Sequence, residues 1–147
     1  MTDIRVTIDN YKFDVRACGI LEDKGKILVS TEVDGTQTLS GGAVKLGETS
    51  EEAVVREFLE ETNLHVKVDK LVAVVENLFE FENAPYQQVI FVYALSLNEK
   101  KQQELICKEK VNASWVNKNL VTMLKPERLN ELVGLETESV LHMTNKD

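Results

Sequence analysis

Histidine and cysteine are scarce in this chain, with two of each among 147 residues. His65 and His142 lie far apart in the sequence, which sets aside a histidine-built metal site. Cys18 and Cys107 have neither metal-ligand nor redox-motif spacing, so two reduced thiols are expected and a disulfide framework is not. Only seven glycines and two prolines are present, and with no low-complexity run the composition excludes a fibrous or disordered chain. No apolar stretch reaches the roughly 20 residues that a membrane helix needs. Met1-Thr2-Asp3-Ile4 opens without the basic and apolar regions of a signal peptide, so a cytoplasmic location with no membrane partner is expected. Positive charge is also in deficit. Seventeen Lys and Arg against 25 Asp and Glu leave a net charge of −8, the wrong sign for tracking duplex nucleic acid. A small anionic ligand remains compatible if a bound cation supplies the missing positive charge.

What is present fits one globular domain over residues 1–147, with 43% hydrophobic residues to build its core. Apolar residues alternate through Phe13, Val15 and Ala17 and again over residues 27–33, with Asp23-Lys24-Gly25 between them as turn chemistry. Residues 71–81 and 87–97 read as a second hairpin across Glu82-Asn83-Ala84-Pro85. Trp115-Val116 adds a short strand. Pro126 stands at a first helical position and begins a C-terminal helix over residues 127–133, which Gly134 can close before a frayed chain end. The fold class is therefore α/β, with strands and two main helices.

One segment asks for a chemical explanation. Ser40-Gly41-Gly42 and Gly47 lead into Thr49, whose spacing to Glu52 is that of a capping box, and Asn63 suits the left-handed position that ends a helix. The helix predicted between them runs over Ser50–Thr62. At about 100° per residue, Val54, Val55, Phe58, Leu59 and Thr62 cover one face, and Glu57, Glu60 and Glu61 share an arc on the other with the small Ser50 and Ala53. Like charges at i,i+4 cost a few tenths of a kcal/mol. Carboxylates near a helix C-terminus also oppose its dipole by about 0.3–1 kcal/mol each. A hard divalent cation among them resolves the conflict, and an all-oxygen donor set selects Mg²⁺ or Mn²⁺ over zinc. The bland alternative is a solvated helix face whose acids serve solubility. Gly41 and Gly42 weigh against it, because their backbone can approach a ligand without a Cβ in the way.

Gly42, five residues, Glu48, seven residues, then Arg56-Glu57-Phe58-Leu59-Glu60-Glu61-Thr62-Asn63-Leu64 resembles the Nudix box of the MutT-like hydrolases. Every charged position and both spacings match. Asn63 replaces the box glycine, with little consequence for a left-handed residue. Ser40 stands where many members have proline, which is expected to loosen the loop presenting Gly41.

The resemblance implies a Nudix fold, an α/β/α sandwich with a mixed β-sheet. It also implies hydrolysis of a diphosphate linkage in a nucleoside diphosphate derivative or related small molecule, with Mg²⁺ or Mn²⁺. On the same ground Glu57 and Glu61 are principal metal ligands, Glu60 a further one, and the Gly41 carbonyl completes the set. Glu57, and after it Glu109, are the candidates for general base. Arg56 is expected to pair with Glu48 and orient the neighbouring acids. A homodimer is a family habit. The alternative function is a non-catalytic nucleotide-binding or sensor module, which the four intact glutamates disfavour. Phe79, Phe81, Tyr86 and Trp115 are open to either base stacking or sheet packing.

Overall fold

Three tight hairpins organise the strands, each turned by two consecutive residues at positive φ: Asp9-Asn10, Lys24-Gly25 and Glu82-Asn83. Paired left-handed residues give the turn whose twist matches that of the flanking strands, which is why Asn and Gly recur there. The computed structural model describes residues 2–98, 103–108 and 111–147. In chain order the strands are β1 (Arg5–Ile8), β2 (Tyr11–Asp23), β3 (Lys26–Thr31), β4 (Gln37–Leu39) and β5 (Gly41–Ala43). Helix α1 (Ser50–Thr62) comes next, then β6 (Val66–Phe81), β7 (Ala84–Leu97), β8 (Ala113–Asn117) and β9 (Leu141–Lys146).

The main path of the sheet runs β4-β3-β2-β7-β6-β9, with β1 and β5 on β2 and β8 on β3. The sheet is mixed: β2 pairs with β7 and β6 with β9 in parallel, while the hairpins are antiparallel. Side chains alternate between its faces. Ala17, Leu21, Tyr93 and Leu95 pack with Ala53, Val54 and Phe58 of α1 in one core. Cys18, Ile90, Val92, Val75 and Met143 form the other with Leu124, Leu129 and Leu132. Gly19 permits the first core, since a Cβ there would lie 2.2 Å from Leu95 and 3.1 Å from Phe58.

The bounds expected for α1 hold. Thr49 Oγ1 accepts from the Glu52 N–H at 3.1 Å and Glu52 Oε1 accepts from the Thr49 N–H at 3.0 Å, closing the capping box. Asn63 ends the helix at φ 65°.

The C-terminal region departs from expectation. The segment begun by Pro126 is a short 3₁₀ helix, Glu127–Leu132, and not an α-helix. Asn130 explains the difference, because its amide donates to the carbonyls of Leu124 and Glu127 and accepts from the Leu124 N–H, so the side chain takes backbone groups out of a helical ladder. The chain end is not frayed either. It forms β9, which covers what would otherwise be the bare edge of β6. Pro85, read as part of a loop, lies within β7 opposite Glu80.

Since Asn63 is left-handed, Asn63→Ala should lower unfolding free energy by about 1 kcal/mol, and Asn63→Gly should leave it nearly unchanged. Urea unfolding of both variants checks this, with equal losses speaking against the cap.

Candidate active site

The rotation of α1 about its axis decides what its acids face. Ala53, Val54, Phe58 and Thr62 are buried, whereas Leu59 is exposed. The apolar face is thus turned from the expected one, with Ala53 joining it and Leu59 leaving it. The turn carries Glu57 inward toward β5, and its side chain is 15% exposed. A Cβ on Gly42 would fall 2.6 Å from the Glu57 carboxyl carbon, so the carboxylate occupies space that only glycine leaves open. Glu61 lies one turn further on, with Oε1 sealed from solvent. Glu60 is more open, with its side chain 40% exposed. A wholly solvated acidic face is thereby excluded. At the helix start, Ser50 Oγ and Tyr93 Oη are hydrogen-bonded at 2.6 Å and tie the first turn to β7.

Arg56 gathers the acids. Its Nε donates to Glu48 Oε2 at 2.7 Å and its Nη2 to Glu48 Oε1 at 2.9 Å, a two-point bond to one carboxylate. Nη1 donates to Glu57 at 3.0 Å and to Glu60 at 3.1 Å, and Nη2 also reaches the Ala43 carbonyl at 3.2 Å. The expected Arg56–Glu48 pair is therefore formed, and it extends to two of the three helix acids. The Arg56 hydrogen bond foremost holds the Glu48 carboxyl below the usual glutamate range, against the opposing effect of burial. Reciprocally, Glu48 raises the guanidinium pKa further.

The glycine loop is tied from behind. A Cβ on Gly41, at φ 156°, would meet the Ala17 carbonyl oxygen at 2.1 Å, so glycine is required there too. Ser40 is buried, with its hydroxyl 2.9 Å from that of Ser30 and its carbonyl accepting from the Gly19 N–H. At the other end of α1, the N–H groups of Ile106 and Lys108 donate to the Thr62 and Glu61 carbonyls, and Lys108 Nζ donates to Asn63 Oδ1. These backbone ties had no sequence signal. Glu109 lies outside the described residues. Burial pushes the Cys18 thiol up to about 12, and Cys107 is a free, exposed thiol.

The donor set suits a hard cation. Glu57, Glu60 and Glu61 offer carboxylate oxygens at one helix end, beside the Gly41–Gly42 backbone, with no sulfur or imidazole among them. Among the described residues no three Asp, Glu, His or Cys side chains are grouped closely enough to hold a metal ion as they stand, and both Glu57 and Glu60 are turned toward Arg56.

Comparison with known proteins gives the chain a family. The NUDIX domain model matches residues 11–133, and the chain belongs to that family. It is 41% identical over 59 residues to a MutT-like protein of Streptomyces ambofaciens, covering 40% of this chain and 38% of that protein. It is 48% identical over 60 residues to an ADP-ribose pyrophosphatase of Methanocaldococcus jannaschii, covering 38% of this chain and 36% of that protein. The matched stretches thus span little more than a third of those relatives. Among solved structures, a mutator MutT protein from Bacillus halodurans superposes with a TM-score of 0.66 at 18% identity, over 89% of this chain and 90% of that one, a likeness of fold. No helix among the described residues is long and apolar enough to cross a membrane.

The Glu48 shift sets a pH dependence. Its folded pKa lies below its unfolded value, so its stabilisation is complete above the ordinary glutamate range and is lost as pH falls through the lower folded value. Acid titration of stability should therefore be shallower in Glu48→Gln than in the wild type, and the neutral-pH stability of that variant should be lower. Parallel acid curves would contradict this.

Proposed function

We propose that this protein is a single-domain, metal-dependent hydrolase of a diphosphate bond in a nucleoside diphosphate derivative or a related small molecule. The observation that carries the reading is the Glu57 carboxylate held in the space beside Gly42, with Glu61 one turn on and Glu60 beside it. The NUDIX family match and the likeness of part of the chain to an ADP-ribose pyrophosphatase support the same reaction class. In this reading Glu57, Glu60, Glu61 and the Gly41 carbonyl hold Mg²⁺ or Mn²⁺. The bound ion supplies charge that neutralises phosphate oxygens and makes water acidic enough to serve as a nucleophile near neutral pH.

The chain's own residues do the rest. Arg56 keeps Glu57 and Glu60 from splaying apart, and through Glu48 and the Ala43 carbonyl it ties them to the β5 loop. It acts by orienting other groups, as residues beside metal ligands do. Glu57 takes a proton from the attacking water, with Glu109 as the second candidate for that task. The proposed partner is a small molecule and the proposed location the cytoplasm, with neither duplex nucleic acid nor membrane engaged. The net charge of −8 supports the exclusion of duplex nucleic acid.

The test is phosphate release from nucleoside triphosphates, nucleotide sugars, ADP-ribose, dinucleoside polyphosphates and dinucleotide cofactors. Each is assayed with and without Mg²⁺ or Mn²⁺, adding a phosphatase where a product needs it. Turnover should require the metal and fall by about 10²-fold or more in Glu57→Gln, the scale on which losing a group that stabilises transition-state charge acts. Arg56→Ala should lower kcat more than it raises KM. Silence across the panel, from folded and metal-loaded protein, would overturn the hydrolase reading.

A further inference from the structure

Strand β1 leaves one edge bare. It pairs with β2 from Arg5 opposite Asp14 to Ile8 opposite Tyr11, and among the described residues no strand lies along its other side. The two-residue turn Asp9-Asn10 makes Ile8 and Tyr11 a hydrogen-bonded pair, and such pairs alternate along an antiparallel ladder. The bond from the Val15 N–H to the Ile4 carbonyl, at 3.2 Å, has the same parity. Val6 and Ile8 therefore spend their backbone groups on β2, and Thr7 between them turns its N–H and C=O outward. Lysine, proline or a bulge commonly blunts such an edge; β1, with the sequence RVTI and an unbroken register, has none of them.

The edge is also apolar on one face. Val6 and Ile8 are 46% and 59% exposed, and Tyr11, across from Ile8, is 49% exposed. By strand alternation they share the face of Ala17 and Leu21 but lie outside the core that α1 closes. The chain before β1 is fastened to the loop that leads into α1. The Ile4 N–H donates to the Val44 carbonyl at 2.7 Å and the Leu46 N–H to the Thr2 carbonyl at 2.8 Å. Between them, the Lys45 N–H donates to Glu48 Oε1 at 3.0 Å.

We propose that this edge docks a second copy of the chain, β1 against β1 in antiparallel register about a two-fold axis at Thr7. The two Thr7 residues exchange both backbone bonds, and Val6 faces Ile8 of the second copy. Arg5 faces Asp9 of the second copy, and each of these contacts occurs twice by symmetry. Arg5 also lies 3.6 Å from Asp14 of its own chain, so in the pair it stands between two carboxylates. The occupant is a second copy because the segment complements itself. Arg5-Val6-Thr7-Ile8-Asp9 reads, about its centre, as opposite charges outermost, then two apolar residues, then a shared threonine. Moving the axis two residues toward the N-terminus sets Arg5 against Arg5, a like-charge pair that disfavours that register. Docking also steadies the 44–46 loop of each copy through residues 2–4. The inference rests on the edge alone and not on the proposed reaction.

The test is sedimentation velocity of the full chain from about 1 μM to about 1 mM, the range in which a small interface associates. The wild type should pass from one copy to two, with no larger species, and its Thr7 and Leu46 amides should exchange more slowly as the dimer forms. Thr7→Pro removes only an outward N–H and leaves the bonds to β2 in place, so it should stay a single copy. Arg5→Glu should weaken the dimer by about tenfold, since a surface pair is lost twice. Adding Asp9→Lys should restore it. If Thr7→Pro does not fold, the charge exchange decides. A wild type that remains one copy throughout, species larger than two, Thr7 and Leu46 amides that exchange alike in both states, or a dimer that these folded variants leave unchanged would overturn the proposal.

Discussion

The Glu57 carboxylate lies where a Cβ on residue 42 would have to be, and this close approach of helix to glycine loop is the constraint on which the site depends. It fixes the rotation of α1, because a helix that presents Glu57 to β5 must put Ala53, Val54 and Phe58 into the core and leave Leu59 outside. It also fixes the distance of α1 from the sheet, which Gly19 permits beneath Phe58. Burying Phe58 stabilises by about 1.5–3 kcal/mol. That exceeds the few tenths of a kcal/mol by which the i,i+4 acids repel one another, so the fold can hold an arrangement that the helix alone would not favour.

Arg56 balances what that packing imposes. Partly buried carboxylates in a chain of net charge −8 need a cation close by, and one guanidinium supplies it to Glu48, Glu57 and Glu60 together. A planar five-donor group can do this where a lysine could not. The arrangement leaves positive charge at one flank of the acids and carboxylate oxygens at the other, beside the glycine backbone. Structure and proposed chemistry meet here: the same side chain that steadies the folded state also sets the direction of the acids.

Much of this was legible in the sequence, where the signals are local. The capping box of Thr49 and Glu52, the left-handed Asn63 and the Lys24-Gly25 turn each depend on a few neighbouring residues, and each is formed as read. The box spacing brought Glu48, Arg56, Glu57, Glu60 and Glu61 forward as one site. What escaped depends on distant partners. The swap of Ala53 for Leu59 on the buried face follows from where β5 lies, not from helical periodicity. Strand β9 has the mixed sequence LHMTNK and is made a strand by the open edge of β6.

In the proposed function the space at residue 42 sets Glu57 for a divalent ion, and the measurement that bears on this is thermal unfolding of the wild type and Gly42→Ala across a Mg²⁺ and Mn²⁺ titration. A ligand bound only by the folded state raises Tm with its concentration. That rise is expected in the wild type, and its loss, or a shift to much higher metal concentration, in a Gly42→Ala protein that still unfolds cooperatively. The same metal-dependent rise in both proteins would contradict it.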